Sequence, residues 1–162
     1  MSAESLKAAL RAKREQLFAE RTFYLPVLGY EDDGLVAKYR ALTYEQLRDI
    51  GKKNESLGDT SEGELTTYAD TLVNACVELA DGTERSENGN PVSLGVRWSA
   101  TAANEFFGAS LPEDATSRVA IRAVLPGNQL ALHFAAYDVE LSKVAPKIAS
   151  QMVGEPEPPV GG

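Results

Sequence analysis

Apolar residues recur along this chain in two regimes, every third or fourth position in some stretches and every second position in others, which are the periods of helix and strand. Residues 2–20 belong to the first regime. Leu6, Leu10, Leu17 and Phe18 fall near one face, Lys7, Arg11, Arg14 and Glu15 lie mostly elsewhere, and Ser2 or Ser5 is placed to cap the start. This predicts an amphipathic helix that either packs on its own domain or serves as an arm for a partner.

Residues 23–28 read as an extended run with apolar side chains on both faces, and Pro26 marks it as an edge or irregular strand. Glu31, Asp32, Asp33 and Gly34 form a turn, because glycine takes the positive φ that closes a hairpin. Leu35, Ala37 and Tyr39 then alternate with Lys38 and Arg40, as in a half-exposed strand. Thr43 and Gln46 have the spacing of a capping box, so a helix is predicted over residues 43–54 with Tyr44, Leu47 and Ile50 buried. A polar run follows, and residues 57–63 read as a surface loop.

Leu65, Ala69, Leu72, Cys76 and Leu79, spaced 4, 3, 4 and 3, predict a helix over residues 62–80 that stops at Asp81 and Gly82. Asn88 and Gly89 signal a turn. Alternation in residues 92–98 then gives either a short strand, paired with residues 83–86, or an extended loop. A short helix is predicted over residues 100–107, ending at Gly108, with Phe106 and Phe107 as core anchors. Ser110 and Glu113 suggest a second capping box for a helix running to Leu125, before Pro126 and Gly127. The last helix, capped by Asn128, carries Leu130, Phe134, Tyr137, Leu141 and Val144, and Pro146 should kink or end it near Ala145. Residues 154–162 are rich in Pro and Gly and read as a disordered tail.

These elements predict a mostly helical α+β fold: an N-terminal helix, a β-hairpin and a helical bundle, with room for one extra short strand or hairpin. Residues 1–153 form one domain, of which 1–20 could be a separate arm. A chain of 162 residues is long enough to bury roughly 70% of its unfolded surface.

Charge and cysteine content narrow the function. A net charge of −8 disfavours nucleic-acid binding, which draws on clustered Lys and Arg. One cysteine forms no internal disulfide, no run of about 18 apolar residues exists for a membrane span, and the first residues lack the apolar core of a signal peptide. The expectation is a cytosolic protein.

Candidate chemistry is sparse. Glu31, Asp32 and Asp33 lack the twelve-residue ligand spacing of a calcium loop, and one His with one Cys is too few for a zinc cluster. No phosphate loop, dinucleotide fingerprint or nucleophile elbow occurs. His133 abuts the apolar seam at Phe134, and Cys76 lies inside an apolar series, so both read as structural residues. No catalytic residue, cofactor or metal ligand is assigned. The residue chemistry favours a soluble binding or assembly protein over an enzyme.

The order of features resembles the tail assembly chaperones of long-tailed bacteriophages, especially those infecting actinobacteria. Phe23, Tyr24, Leu25, Pro26 and Val27 precede a Gly-Tyr pair and an acidic turn. Residues 35–40 follow, and Leu42, Thr43, Tyr44, Glu45, Gln46 and Leu47 open a helix. Residues 71–77 and the Asp81–Gly82 exit complete the similarity, which runs from about residue 23 to 82. The resemblance implies a non-catalytic protein of the host cytoplasm that binds the tape measure protein, helps tail tube subunits polymerise around it, and is generally absent from the virion. It also implies a longer product made by ribosomal frameshifting near the end of the gene.

Two alternatives stand beside it: a structural tail-completion or connector component of the virion, and a small hydrolase or transferase using His133 or Cys76. Leu6, Leu10, Leu17 and Phe18 on the first helix, and Tyr24, Pro26, Tyr30 and Tyr39 on the hairpin, are the candidate partner-binding residues. The expected partners are the tape measure protein, the tail tube protein and further copies of the chain.

Overall fold

The computed structural model describes residues 2–19, 21–58 and 60–153. It has the predicted α+β class, with six α-helices and one antiparallel four-stranded sheet among the described residues. The 154–162 tail and the Phe18 side chain lie outside the described residues.

Helix α1 (Ala3–Ala19) starts where Ser2 Oγ accepts the Ser5 backbone N–H at 3.1 Å. Every residue from 3 to 16 is exposed, so the helix buries little against its own domain, although Arg14 and Glu15 line a recess with Thr22 and Arg40. Strands β1 (Thr22–Pro26) and β2 (Leu35–Arg40) pair in register from Thr22↔Arg40 to Pro26↔Val36. Between them Glu31–Asp33 makes a single 3₁₀ turn that Gly34 closes at φ 80°. The two-sided burial expected for β1 is absent: Leu25 is buried, but Tyr24 is half-buried and Pro26 exposed on the other face. The later helices lie on the Leu25 side, and on the other face Arg14 and Glu15 of α1 come beside Thr22, Lys38 and Arg40.

Helix α2 (Tyr44–Lys53) has both halves of its capping box: Thr43 Oγ1 accepts from the Gln46 N–H at 3.2 Å, and Gln46 Oε1 accepts from the Thr43 N–H at 2.9 Å. Its expected stripe is corrected, since only Ile50 is buried while Tyr44 is 76% and Leu47 49% exposed. Among helices, α2 packs mainly against α3 (Ser61–Ala75), which covers the Ile50 and Asn54 side alone. Thr60 caps α3 through the Gly63 N–H, so the expected loop is shorter than residues 57–63.

The helix predicted over residues 62–80 ends at Ala75, and Cys76–Arg85 is strand β3. The helical spacing misled because of a bulge. Tyr39 pairs with Cys76 and Lys38 with Glu78, leaving Val77 as an extra residue. Cys76 and Leu79 therefore both face the core three positions apart, a spacing an unbroken strand would not allow. The strand continues through Asp81 and Gly82, and Gly82 sits tightly over the first hairpin, its N–H donating to the Gly34 carbonyl at 2.7 Å.

Strand β4 (Pro91–Ser93) completes the sheet in the order β1-β2-β3-β4, following the Asn88–Gly89 turn. It is shorter than the alternation suggested, yet Leu94 and Val96 still bond to the backbone of Leu79 at 3.0 and 2.8 Å.

Helix α4 (Ala100–Phe107) has the expected bounds, with Ser99 as N-cap and Gly108 at φ 70°. Of its two phenylalanines Phe107 packs on the core beside the buried Ala102 and Ala103, contacting Tyr30 edge-on at 5.2 Å, whereas Phe106 is 44% exposed. Adjacent helical residues point about 100° apart, so Phe107 turns towards Tyr30 and Trp98 while Phe106 stays at the surface. The Ser110 capping box does not form. Asn104 holds Leu111 through both its N–H (2.8 Å) and its carbonyl (3.0 Å), fixing that segment as a loop, and Thr116 caps α5 (Ser117–Val124) instead.

Helix α6 (Gly127–Val153) begins before Asn128, which lies in its first turn, and it passes through Pro146 without ending. Proline removes one N–H, and here the bond lost is that to the carbonyl of Ser142, an exposed position that water can reach. Leu130 and Tyr137 are buried as predicted, with Phe134 and Leu141 packed against the core.

Candidate protein-binding surfaces

At the centre of the core, the Trp98 indole N–H donates to Tyr39 Oη at 3.0 Å, and Tyr39 Oη lies 2.8 Å from His133 Nε2. Tyr39 Oη accepts from Trp98 and keeps one proton and a second lone pair, so it can pair with Nε2 of a neutral imidazole in either direction. His133 is fully buried and burial lowers its pKa to about 4. Tyr39 is also fully buried, so its assignment as a partner contact is corrected: β2 turns it inward beside Ala37. Cys76 is 1% exposed, and burial raises its thiol to about 11. Neither His133 nor Cys76 can reach a substrate in this conformation. Among the described residues, no three His, Cys, Asp or Glu side chains are grouped to hold a metal ion. No described helix is long and apolar enough to cross a membrane.

A polar clamp ties three helices together. Arg118 Nε donates to Asp70 Oδ1 at 2.7 Å and its Nη2 to Oδ2, while Asn54 Nδ2 also donates to Oδ2 at 3.0 Å. Burial alone would raise the Asp70 carboxyl, but the Arg118 and Asn54 hydrogen bonds and the Arg118 charge outweigh it and hold it below the ordinary value. Asn54, Asp70 and Arg118 gave no sequence signal, because they are 16 and 48 positions apart.

The remaining candidates lie on separate surfaces. Leu6 and Leu10 are 49% and 58% exposed on α1, and Leu17 is half-buried nearer the domain. Tyr24 and Pro26 share the sheet face opposite the core, where the Lys38 ammonium sits 5.6 Å from the Tyr24 ring centroid. Tyr30 turns to the opposite side and donates its hydroxyl to the Val124 carbonyl at 2.7 Å. It also lines a groove of about 410 Å³ with Asp33, Leu35, Leu94, Phe106 and Phe107.

A further surface escaped the sequence reading. Leu132 and Val139 are 59% and 55% exposed on α6, and Ala135 lies exposed between them. Their spacing of 3 and 4 matches a helix-pairing seam, and it went unread because the stronger series through Leu130 and Tyr137 dominates the same helix.

No family model matches the chain, and searches of curated proteins and of solved structures give no significant match.

Proposed function

We propose that this chain is a tail assembly chaperone of a long-tailed bacteriophage, a non-catalytic protein that binds the tape measure protein in the host cytoplasm and assists tail tube polymerisation. The resemblance over residues 23–82 supplies that class. The observation that supports a helix-binding role is the outward seam of Leu132, Ala135 and Val139 on α6. A long helical partner laid along it covers apolar side chains that are otherwise in water, and each leucine-sized side chain so buried is worth roughly 1.5–3 kcal/mol.

Co-expression with the tape measure protein of the same phage tests this. The soluble fraction of tape measure protein should rise with the wild-type chain and fall back with Leu132→Glu/Val139→Glu. No gain in solubility with the wild-type chain overturns the proposal, as does stoichiometric recovery of the chain from purified virions.

A further inference from the structure

Helix α1 and the groove beside Phe106 are complementary, yet they sit at opposite ends of the β1–β2 hairpin. At the Thr22↔Arg40 end, Arg14 and Glu15 of α1 line a recess with Thr22 and Arg40. At the turn end, the groove presents an apolar floor of Tyr30, Leu35, Leu94, Phe106 and Phe107, with Asp33 on its wall. Glu31 and Asp32 are exposed in the same turn. Helix α1 carries the opposite character: Lys7, Arg11, Lys13 and Arg14 against Glu4 and Glu15, in a chain of net charge −8. Leu6 and Leu10 lie one turn apart on it, both exposed. Most helical stability in proteins comes from packing an amphipathic face, so docking would stabilise it.

We propose that α1 of one copy docks in the Phe106 groove of a second copy, with Leu6 and Leu10 on the aromatic floor and Lys7, Arg11 and Lys13 facing Glu31, Asp32 and Asp33. The groove is of the size and apolar character that takes one or two large side chains, and its acidic wall selects a basic amphipathic helix over an acidic one. Arm and groove are different surfaces, so the interface is head-to-tail. Each added copy presents another free groove or arm, and assembly need not stop at a dimer.

The test is mass against concentration for the full chain, by light scattering coupled to size exclusion and by sedimentation. The wild-type mass should climb past that of a dimer as concentration rises, and high salt should weaken the association. Leu6→Glu/Leu10→Glu and Phe106→Glu should each weaken it by about tenfold or more. Mixed together, these two variants should form one-to-one complexes that grow no further, since one retains only a groove and the other only an arm. Circular dichroism checks their folding. Should Phe106→Glu unfold, Asp32→Lys/Asp33→Lys replaces it as the groove variant.

A wild-type chain that stays monomeric throughout, an arm variant that associates like wild type, or a mixture that stays monomeric would each overturn the proposal. Self-association needs no tape measure protein, so its failure is distinguishable from failure of the tail-assembly reading.

Discussion

Tyr39 and His133 meet 2.8 Å apart in the centre of the core, 94 positions apart in sequence, with the Trp98 indole completing the chain of donors. The arrangement favours the neutral imidazole. Protonation would bury a charge for which Tyr39 is the partner at Nε2, while Nδ1 has no hydrogen-bond partner among the described residues to share it.

Acid should therefore destabilise the protein well before its carboxylates titrate. The unfolded imidazole takes up a proton near pH 6.5 and the folded one near pH 4, so in that window the unfolded state binds more protons. Stability is full above pH 6.5 and falls progressively towards pH 4, by about 3 kcal/mol in all. Urea midpoints measured from pH 8 to 4 give this curve. His133→Gln, which keeps an acceptor for Tyr39, should flatten it over that window; an unchanged slope would refute the assignment.

The Asp70 clamp adds a second, lower transition. Its carboxyl is held below the usual range, so its contribution is present above about pH 4 and is lost as pH falls through the depressed folded value. Arg118→Leu leaves a buried carboxylate with only Asn54, and should cost about 3 kcal/mol. Asp70→Asn/Arg118→Leu should cost less than that single change, because no uncompensated charge remains. A double-mutant cycle in denaturant measures the difference, and simple additivity would show that the pair is not coupled.

Local signals were legible wherever one segment determines its own geometry. Thr43 with Gln46, Gly34 after the acidic turn, and Gly108 after Phe107 all act within four residues. What failed depended on neighbours in space. The Val77 bulge made a strand imitate a helical spacing, and the Asn104 clamp on Leu111 overrode a capping pattern at Ser110. Of the candidate contacts, Leu6 and Leu10 emerged exposed, while Tyr39 disappeared into the core. Its fate depended on Trp98 and His133, which no local pattern connects to it.

Gly34 and Gly82 approach closely where β3 runs alongside the turn of the first hairpin. A Cβ on Gly34 would lie 2.2 Å from Thr83 Cγ2, at a backbone φ of 80° that disfavours side chains. Gly34→Ala should cost about 1–2 kcal/mol from the left-handed backbone, with a further penalty from the clash. Thr83→Ser removes the offending methyl group and should recover only the second part. Thermal melts of both single variants and the pair separate the two contributions, and full recovery by Thr83→Ser would show that backbone conformation is not limiting.

The switch from α3 to β3 at Cys76 has its own electrostatic support. Arg97 donates to the Val73 carbonyl and Arg40 to the Asn74 carbonyl, each at 3.2 Å, so two cations from different strands and loops meet the unsatisfied end of one helix. Removing either as Arg97→Ala or Arg40→Ala should cost about 0.5–1 kcal/mol, since the side chains are partly solvated and water can replace them. The local consequence is more diagnostic than the global one. Opening of the junction should speed amide exchange at Cys76 and Leu79, whose neighbours at the other end of β3 keep their protection. Uniform loss of protection along β3 would mean instead that the two arginines stabilise the whole domain without defining where the helix ends.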